Sequence, residues 1–164
     1  MKHRAFTLVE LLVVIAIIGL LSAVAAVSMS SSRAKSRDTK RLADLRQIQT
    51  AVELYMNDNG IYPSCVGGGG GCYTTAPTSN FNTLQAIPTY IASIPNDPIN
   101  TTNQYGYYYI TRYRKTGDCT YVSTSLNTDY LMGTRLENPN GVPGSCPAGF
   151  TAWGNPNLNY LLGN

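Results

Sequence analysis

The sequence predicts an α+β chain: a long N-terminal α-helix, one half transmembrane and one half amphipathic, packed on a small antiparallel β-sheet head. Three observations predict it. Residues 6–27 are almost wholly apolar. Behind them Leu42, Leu45, Ile48, Val52 and Tyr55 recur at helical spacing. Past residue 100, β-branched and aromatic runs are separated by turn residues.

The apolar run of 22 residues, at about 1.5 Å each, reaches about 33 Å, enough to cross a bilayer core. It holds one carboxylate, Glu10. A charge inside such a run is costly and by default marks function. A secretory signal peptide competes with the span, with Lys2 and Arg4 as its charged start and Ala23-Val24-Ala25 as an A-x-A cleavage site. The length of the run and the carboxylate inside it argue against that alternative.

The length of 164 residues fits one domain, and only 13% of the chain is charged. The net charge of +3 conceals a local stripe. Residues 28–57 carry Arg33, Lys35, Arg37, Lys40, Arg41 and Arg46 against Asp38, Asp44 and Glu53, whereas residues 58–164 are close to neutral. The stripe reads as a solvated face, with anionic lipid headgroups as the alternative contact. Two cations precede the run and five follow it within fifteen residues, which by the positive-inside rule would leave the C-terminal part in the cytoplasm. Cys65, Cys72, Cys119 and Cys146 point the other way. An even number in a small, loop-rich region reads as two disulfides made in an oxidising compartment. Of three pairings, sequence proximity favours Cys65–Cys72 with Cys119–Cys146; the spacings are too wide for a zinc site.

Lys2-His3-Arg4-Ala5 followed by Phe6-Thr7-Leu8-Val9-Glu10-Leu11-Leu12 resembles the class III leader of type IV pilins and type II secretion pseudopilins. Residues 41–45 (RLADL) and 55–63 (YMNDNGIYP) are similar to the end of the long helix in major pseudopilins, and Pro95-Asn96-Asp97-Pro98 resembles their P-x-D-P element. The chain departs at Ala5, where the family usually has Gly, and at Val27, where many members have a helix-kinking proline. The resemblance implies a type IV pilin-like fold. It further implies a prepilin peptidase that cuts between Ala5 and Phe6, with N-methylation of Phe6. Glu10 of one subunit would then pair with the new Phe6 amine of a neighbour, because a paired charge tolerates low dielectric and a lone one does not. Phe6, Glu10 and Gly19 are thus the expected assembly residues. Gly19 reads either as a close-packing site between helices or as a point where the helix unwinds.

The expected organisation is a leader at residues 1–5, a transmembrane or filament-core helix at 6–27, an amphipathic helix spine at 28–57, and a disulfide-stapled head at 58–164. No proline interrupts residues 6–62, and Asn59-Gly60 supplies the stop. In the head, residues 58–104 read as loop-dominated. Residues 105–114, 119–124 and 128–135 read as a three-stranded meander spanning about 105–135, and residues 137–164 as a C-terminal loop region.

His3 is the only histidine and lies in the leader, which removes Ser-His and Cys-His catalysis from the mature chain. No metal ligands are expected, no calcium loop is recognisable, and no cofactor or enzyme activity is expected. Arg112, Tyr113, Arg114 and Lys115 interleave tyrosine with cations, a pattern that suits DNA contact, although a half-buried edge strand is the commoner reading. The function expected is that of a structural pilin. It starts as a single-pass precursor in the inner (cytoplasmic) membrane and ends as a homo-oligomeric helical filament (a pilus or fimbrium) on the cell surface. Its partners are the peptidase and a pilus or secretion assembly platform. The alternatives are a type II secretion pseudopilin and a secreted or tethered binding protein with an ordinary signal peptide.

Overall fold

The structure is a computed structural model that describes residues 6–65, 71–73, 81–99, 106–117, 120–124, 127–140, 142–143, 145–146 and 158–163. The leader, residues 1–5, lies outside the described residues. The chain divides into two compact units, Met1–Ser36 and Arg37–Asn164.

Helix α1 is Leu8–Asn59, 52 residues without a break. Its first turn is closed by Thr7 and Glu10. The Glu10 carboxylate accepts from the Thr7 amide at 2.9 Å and from Thr7 Oγ1 at 2.8 Å, while the Glu10 amide donates to Thr7 Oγ1 at 3.3 Å. This reciprocal arrangement is a capping box, which satisfies amides that have no carbonyl a turn earlier. At the other end Gly60 takes φ 74°, and its amide donates to Met56 O at 2.8 Å. Only glycine adopts that left-handed conformation without a steric penalty, so the helix stops there.

In the first unit the side chains of residues 6–25 are exposed along the helix. By length and composition the helix is able to cross a membrane.

In the second unit, strands β1 (Gly71–Tyr73), β2 (Tyr107–Thr111), β5 (Tyr130–Thr134) and β6 (Tyr160–Gly163) form one antiparallel sheet in the order β1-β2-β5-β6. Strands β3 (Tyr113–Lys115) and β4 (Tyr121–Ser123) form a separate two-stranded ribbon. The expected three-stranded meander is therefore corrected. Its first run breaks at Arg112, which sits at φ 68°. The Arg112 amide donates to Asp129 O and its carbonyl accepts from the Thr124 amide, so the chain leaves the sheet there and returns after β4. The body of the first run pairs with the third, Tyr109 opposite Met132, and among the described residues the middle run pairs with the tail of the first.

Two stretches expected to be loop also supply strands. Strand β1 sits at one edge, Cys72 opposite Tyr109, and β6 at the other, Leu162 opposite Met132. Strand β5 passes β6 so closely that a Cβ on Gly133 would lie 2.8 Å from Tyr160 O.

The sheet separates two apolar clusters. On one side Leu45, Ile48, Ala51 and Val52 of α1 pack with Tyr62, Phe81, Leu84, Tyr107, Tyr109, Tyr130 and Met132. On the other, Leu131, Leu158 and Leu161 pack with Tyr108, Ile110 and Tyr113. Strand alternation explains the division of residues 107–111, but Tyr113 belongs with Tyr108 rather than Tyr109 because the left-handed residue at 112 flips the register of faces. Tyr107 and Tyr109 thus face one cluster and Tyr113 the other.

Candidate assembly site

The candidate site is the N-terminal part of α1. Phe6 and the apolar side chains Leu8, Val9, Leu11, Leu12, Ile15, Ile17, Ile18, Leu20 and Leu21 are all more than half exposed. So much apolar surface has to be covered by lipid or by other helices, because leaving it in water forfeits about 25 cal/mol for each Å². Nothing stands within 4 Å of where a Cβ on Gly19 would be, so the glycine leaves a shallow notch on an open helix surface.

Glu10 occupies the second element of the capping box, a role the sequence carried in plain form. A Thr three residues ahead of a Glu at the head of an apolar run is a helix-start signature. The cap turns the carboxylate toward Thr7, at the N-terminal end of the helix. It is held by one oxygen, Oε2, in both contacts with Thr7.

The second unit contains a cluster that the sequence reading did not anticipate. Arg41 is completely buried. Its Nε donates to Asp97 Oδ2 at 2.6 Å and its Nη2 to Asp97 Oδ1 at 3.1 Å, a bidentate pair. Its Nη1 donates to Asp38 Oδ1 at 2.7 Å and to Glu137 Oε1 at 2.8 Å. Arg37 grips Glu137 with a second fork, at 2.8 and 2.6 Å. Asp38 also accepts from the backbone amides of Glu137 and Asn138, and Asp97 from that of Ile99. The basic stripe is therefore not uniformly a solvated face: Arg37 and Arg41 serve the head, while Arg33, Lys35 and Lys40 are exposed. The Asp97 of the P-x-D-P element turns out to be one carboxylate of this clasp.

The electrostatics agree with the geometry. The hydrogen bonds from Arg37, and then from Arg41, hold the Glu137 carboxyl down at about 2 against the opposing effect of burial. Burial alone would lower the pKa of Arg41, but the hydrogen bonds to Asp97 and Glu137 outweigh it and the pKa is raised. Among the described residues no group of His, Cys, Asp and Glu is placed to hold a metal ion.

Cys65 and Cys72 are joined, linking the segment after α1 to edge strand β1. Cys146 is disulfide-bonded, and its expected partner Cys119 lies outside the described residues. The residues weighed for DNA contact are not brought onto one open face. Arg112 Nε donates to Asn127 Oδ1, Tyr113 packs on the second cluster, Lys115 Nζ donates to Leu161 O, and Arg114 is exposed.

A family profile described as "Prokaryotic N-terminal methylation motif" matches residues 1–26. The chain is 29% identical over 104 residues to the type II secretion system core protein G of Vibrio cholerae serotype O1, covering 63% of this chain and 70% of that protein. It is 32% identical over 102 residues to the protein of the same name from Escherichia coli strain K12, covering 59% and 67%. It is also 30% identical over 99 residues to the E. coli prepilin peptidase-dependent protein D, covering 60% and 68%. The matched part spans about two thirds of the length of these relatives. No solved structure matches. With the methylation motif, the unbroken helix before a small antiparallel sheet, and relatives at this identity and coverage, the chain belongs to the family of type IV pilins and type II secretion pseudopilins.

Proposed function

We propose that the protein is a structural, non-catalytic subunit of a type IV pilus-like filament, made as a membrane-anchored precursor. The observation that carries this reading is the exposed apolar helix of Leu8 onward, preceded by a methylation motif and headed by a single carboxylate. Hydrolysis of the Ala5–Phe6 peptide bond by a prepilin peptidase releases residues 1–5 and creates an α-amino cation on Phe6, which is then methylated. That cation arises at the end of the helix toward which Glu10 is turned. In a filament Glu10 pairs with the Phe6 amine of a neighbouring subunit. This exchanges a weak local cap for a charge pair in low dielectric and sets the axial register of the bundle. Gly19 lets two helices approach closely. An assembly platform drives extraction from the cytoplasmic membrane, and the heads form the outer surface.

A second reading, a pseudopilin of a type II secretion system, is favoured by the names of the Vibrio cholerae and E. coli core protein G relatives. Intact mass and N-terminal sequencing of protein sheared from cells test the shared part of both. A chain starting at N-methyl-Phe6 supports the filament subunit. A chain starting at Ala26 overturns it in favour of a signal peptide. Deleting the protein separates the two readings: loss of surface filaments with normal protein export marks a pilin, and loss of export marks a pseudopilin.

A further inference from the structure

We propose that the outer face of α1 in the second unit is a contact between copies of this chain, in which Lys40 of one copy pairs with Asp58 of another copy displaced along the helix axis. This rests on the reading of the protein as a filament subunit. Lys40 and Asp58 are eighteen residues apart, five turns of about 3.6 residues, so they stand on one line of the helix about 27 Å apart. Both belong to the second unit. Ala43, Gln47 and Leu54 lie on the same face between them, and all five side chains are exposed. The face is thus positive at one end, negative at the other and uncharged between.

Neither charge is explained by the fold of the head. Lys40 makes no hydrogen bond or ion pair among the described residues, whereas Arg37 and Arg41 beside it are held by the clasp. Asp58 lies in the last turn of α1, where the helix dipole is negative and an acid is unfavourable, and no basic residue accompanies it there. Its own contacts are with neutral groups: Oδ2 accepts from Tyr90 Oη at 2.9 Å and Oδ1 from Asn57 Nδ2 at 3.2 Å. A carboxylate accepts about four hydrogen bonds, so capacity remains on the exposed side. The flanking charges are occupied. Arg46 Nη1 donates to Gln49, and Glu53 accepts from Tyr62 and Tyr130.

The order of signs selects the partner. Subunits that share one membrane orientation lie parallel. In register, Lys40 would meet Lys40 and Asp58 would meet Asp58, and both contacts repel. Displaced by five turns, Lys40 of one copy meets Asp58 of the next. That contact leaves one charge open at each end for further copies, so it does not close on itself and extends into a filament. An exposed ion pair contributes little attraction by itself, and the clash of like charges is what rejects the wrong register. A helical filament gives each copy several neighbours, so this contact adds to that of Glu10.

The test measures filaments sheared from host cells that overproduce the full chain or a variant. Lys40→Glu and Asp58→Lys should each lower the yield at least about tenfold, because each sets like charges against each other. Two arrangements should restore it to within about twofold of the parent: both substitutions in one chain, and the two singly substituted chains produced together. In the mixture each chain meets the opposite sign on the other, a rescue that only a contact between copies allows. Asp58→Asn keeps an acceptor for Tyr90 and should lower the yield by about threefold, whereas Tyr90→Phe should leave it at the parental level. Parental yield from both charge reversals overturns the pair, and so does failure of both rescues. A Tyr90→Phe loss equal to that of Asp58→Asn also overturns it, by confining Asp58 to the head. If the parent chain sheds no filaments, the filament reading itself falls, a failure seen before any variant is made.

Discussion

At the level of single residues, Arg41 and Glu137 carry the most weight in the head. A buried guanidinium held by three carboxylates stabilises little against a hydrophobic replacement of the whole set, but removing one member strands the rest. Arg41→Met should therefore destabilise the head by about 3–5 kcal/mol, read as a lowered urea midpoint at unchanged slope. Glu137 gives a pH signature. Its folded pKa of about 2 is below the ordinary value of 4.5, so its contribution is complete above about pH 4.5 and is lost as pH falls toward 2. In Glu137→Gln the acid limb of the stability profile between those values should flatten, and the variant should be less stable than the parent at pH 7. A profile that superimposes on the parent after normalisation would sink this assignment. Replacing Thr7 by Ala in the unprocessed chain should loosen the first helical turn by about 1 kcal/mol, visible as faster amide exchange near Glu10 in micelles.

Among the elements, the sheet depends on a close approach and a clip. Gly133 of β5 faces the backbone of β6, and a methyl there meets Tyr160 O at 2.8 Å and Leu161 Cδ2 at 2.9 Å. Gly133→Ala should cost about 1–3 kcal/mol and raise amide exchange in β6 before β2. At the opposite edge the Cys65–Cys72 bridge closes a ring of eight residues that otherwise relies on a three-residue strand. Cys65→Ser/Cys72→Ser should lower stability by about 2–3 kcal/mol in the chain-entropy account, with exchange rising first in β1. The long helix was legible in detail, and its start more so than the residue-by-residue reading used: Thr7 and Glu10 spell the cap. The strands were half legible. Residues 107–111 and 130–134 advertise themselves by aromatic and β-branched content, but GCY and YLLG are too short to show a period. They become strands because β2 and β5 offer them unpaired edges.

Over the whole chain, the two compact units answer to different solvents. The first exposes its apolar side chains over residues 6–25, and the second buries its own around the α1 segment from Leu45 to Val52. A polypeptide that exposes one such surface in water aggregates or finds a membrane, and one that then sheds the membrane has to find copies of itself. The proposed filament role follows from that division more than from any chemistry in the head.

The sequence by itself determined the helix, its membrane-length first half, its cap and its glycine stop, because each depends on residues within a few positions of one another. Its first 26 residues also match a prokaryotic N-terminal methylation motif. Only the tertiary structure decided that Arg41 points inward, that the first tyrosine-rich run splits at Arg112, and that both sheet edges come from apparent loops. Those outcomes rest on partners 12 to 100 residues apart, from Arg112 with Thr124 to Arg37 with Glu137. A charge is solvated or buried according to what the rest of the chain brings to it, and no local pattern carries that information.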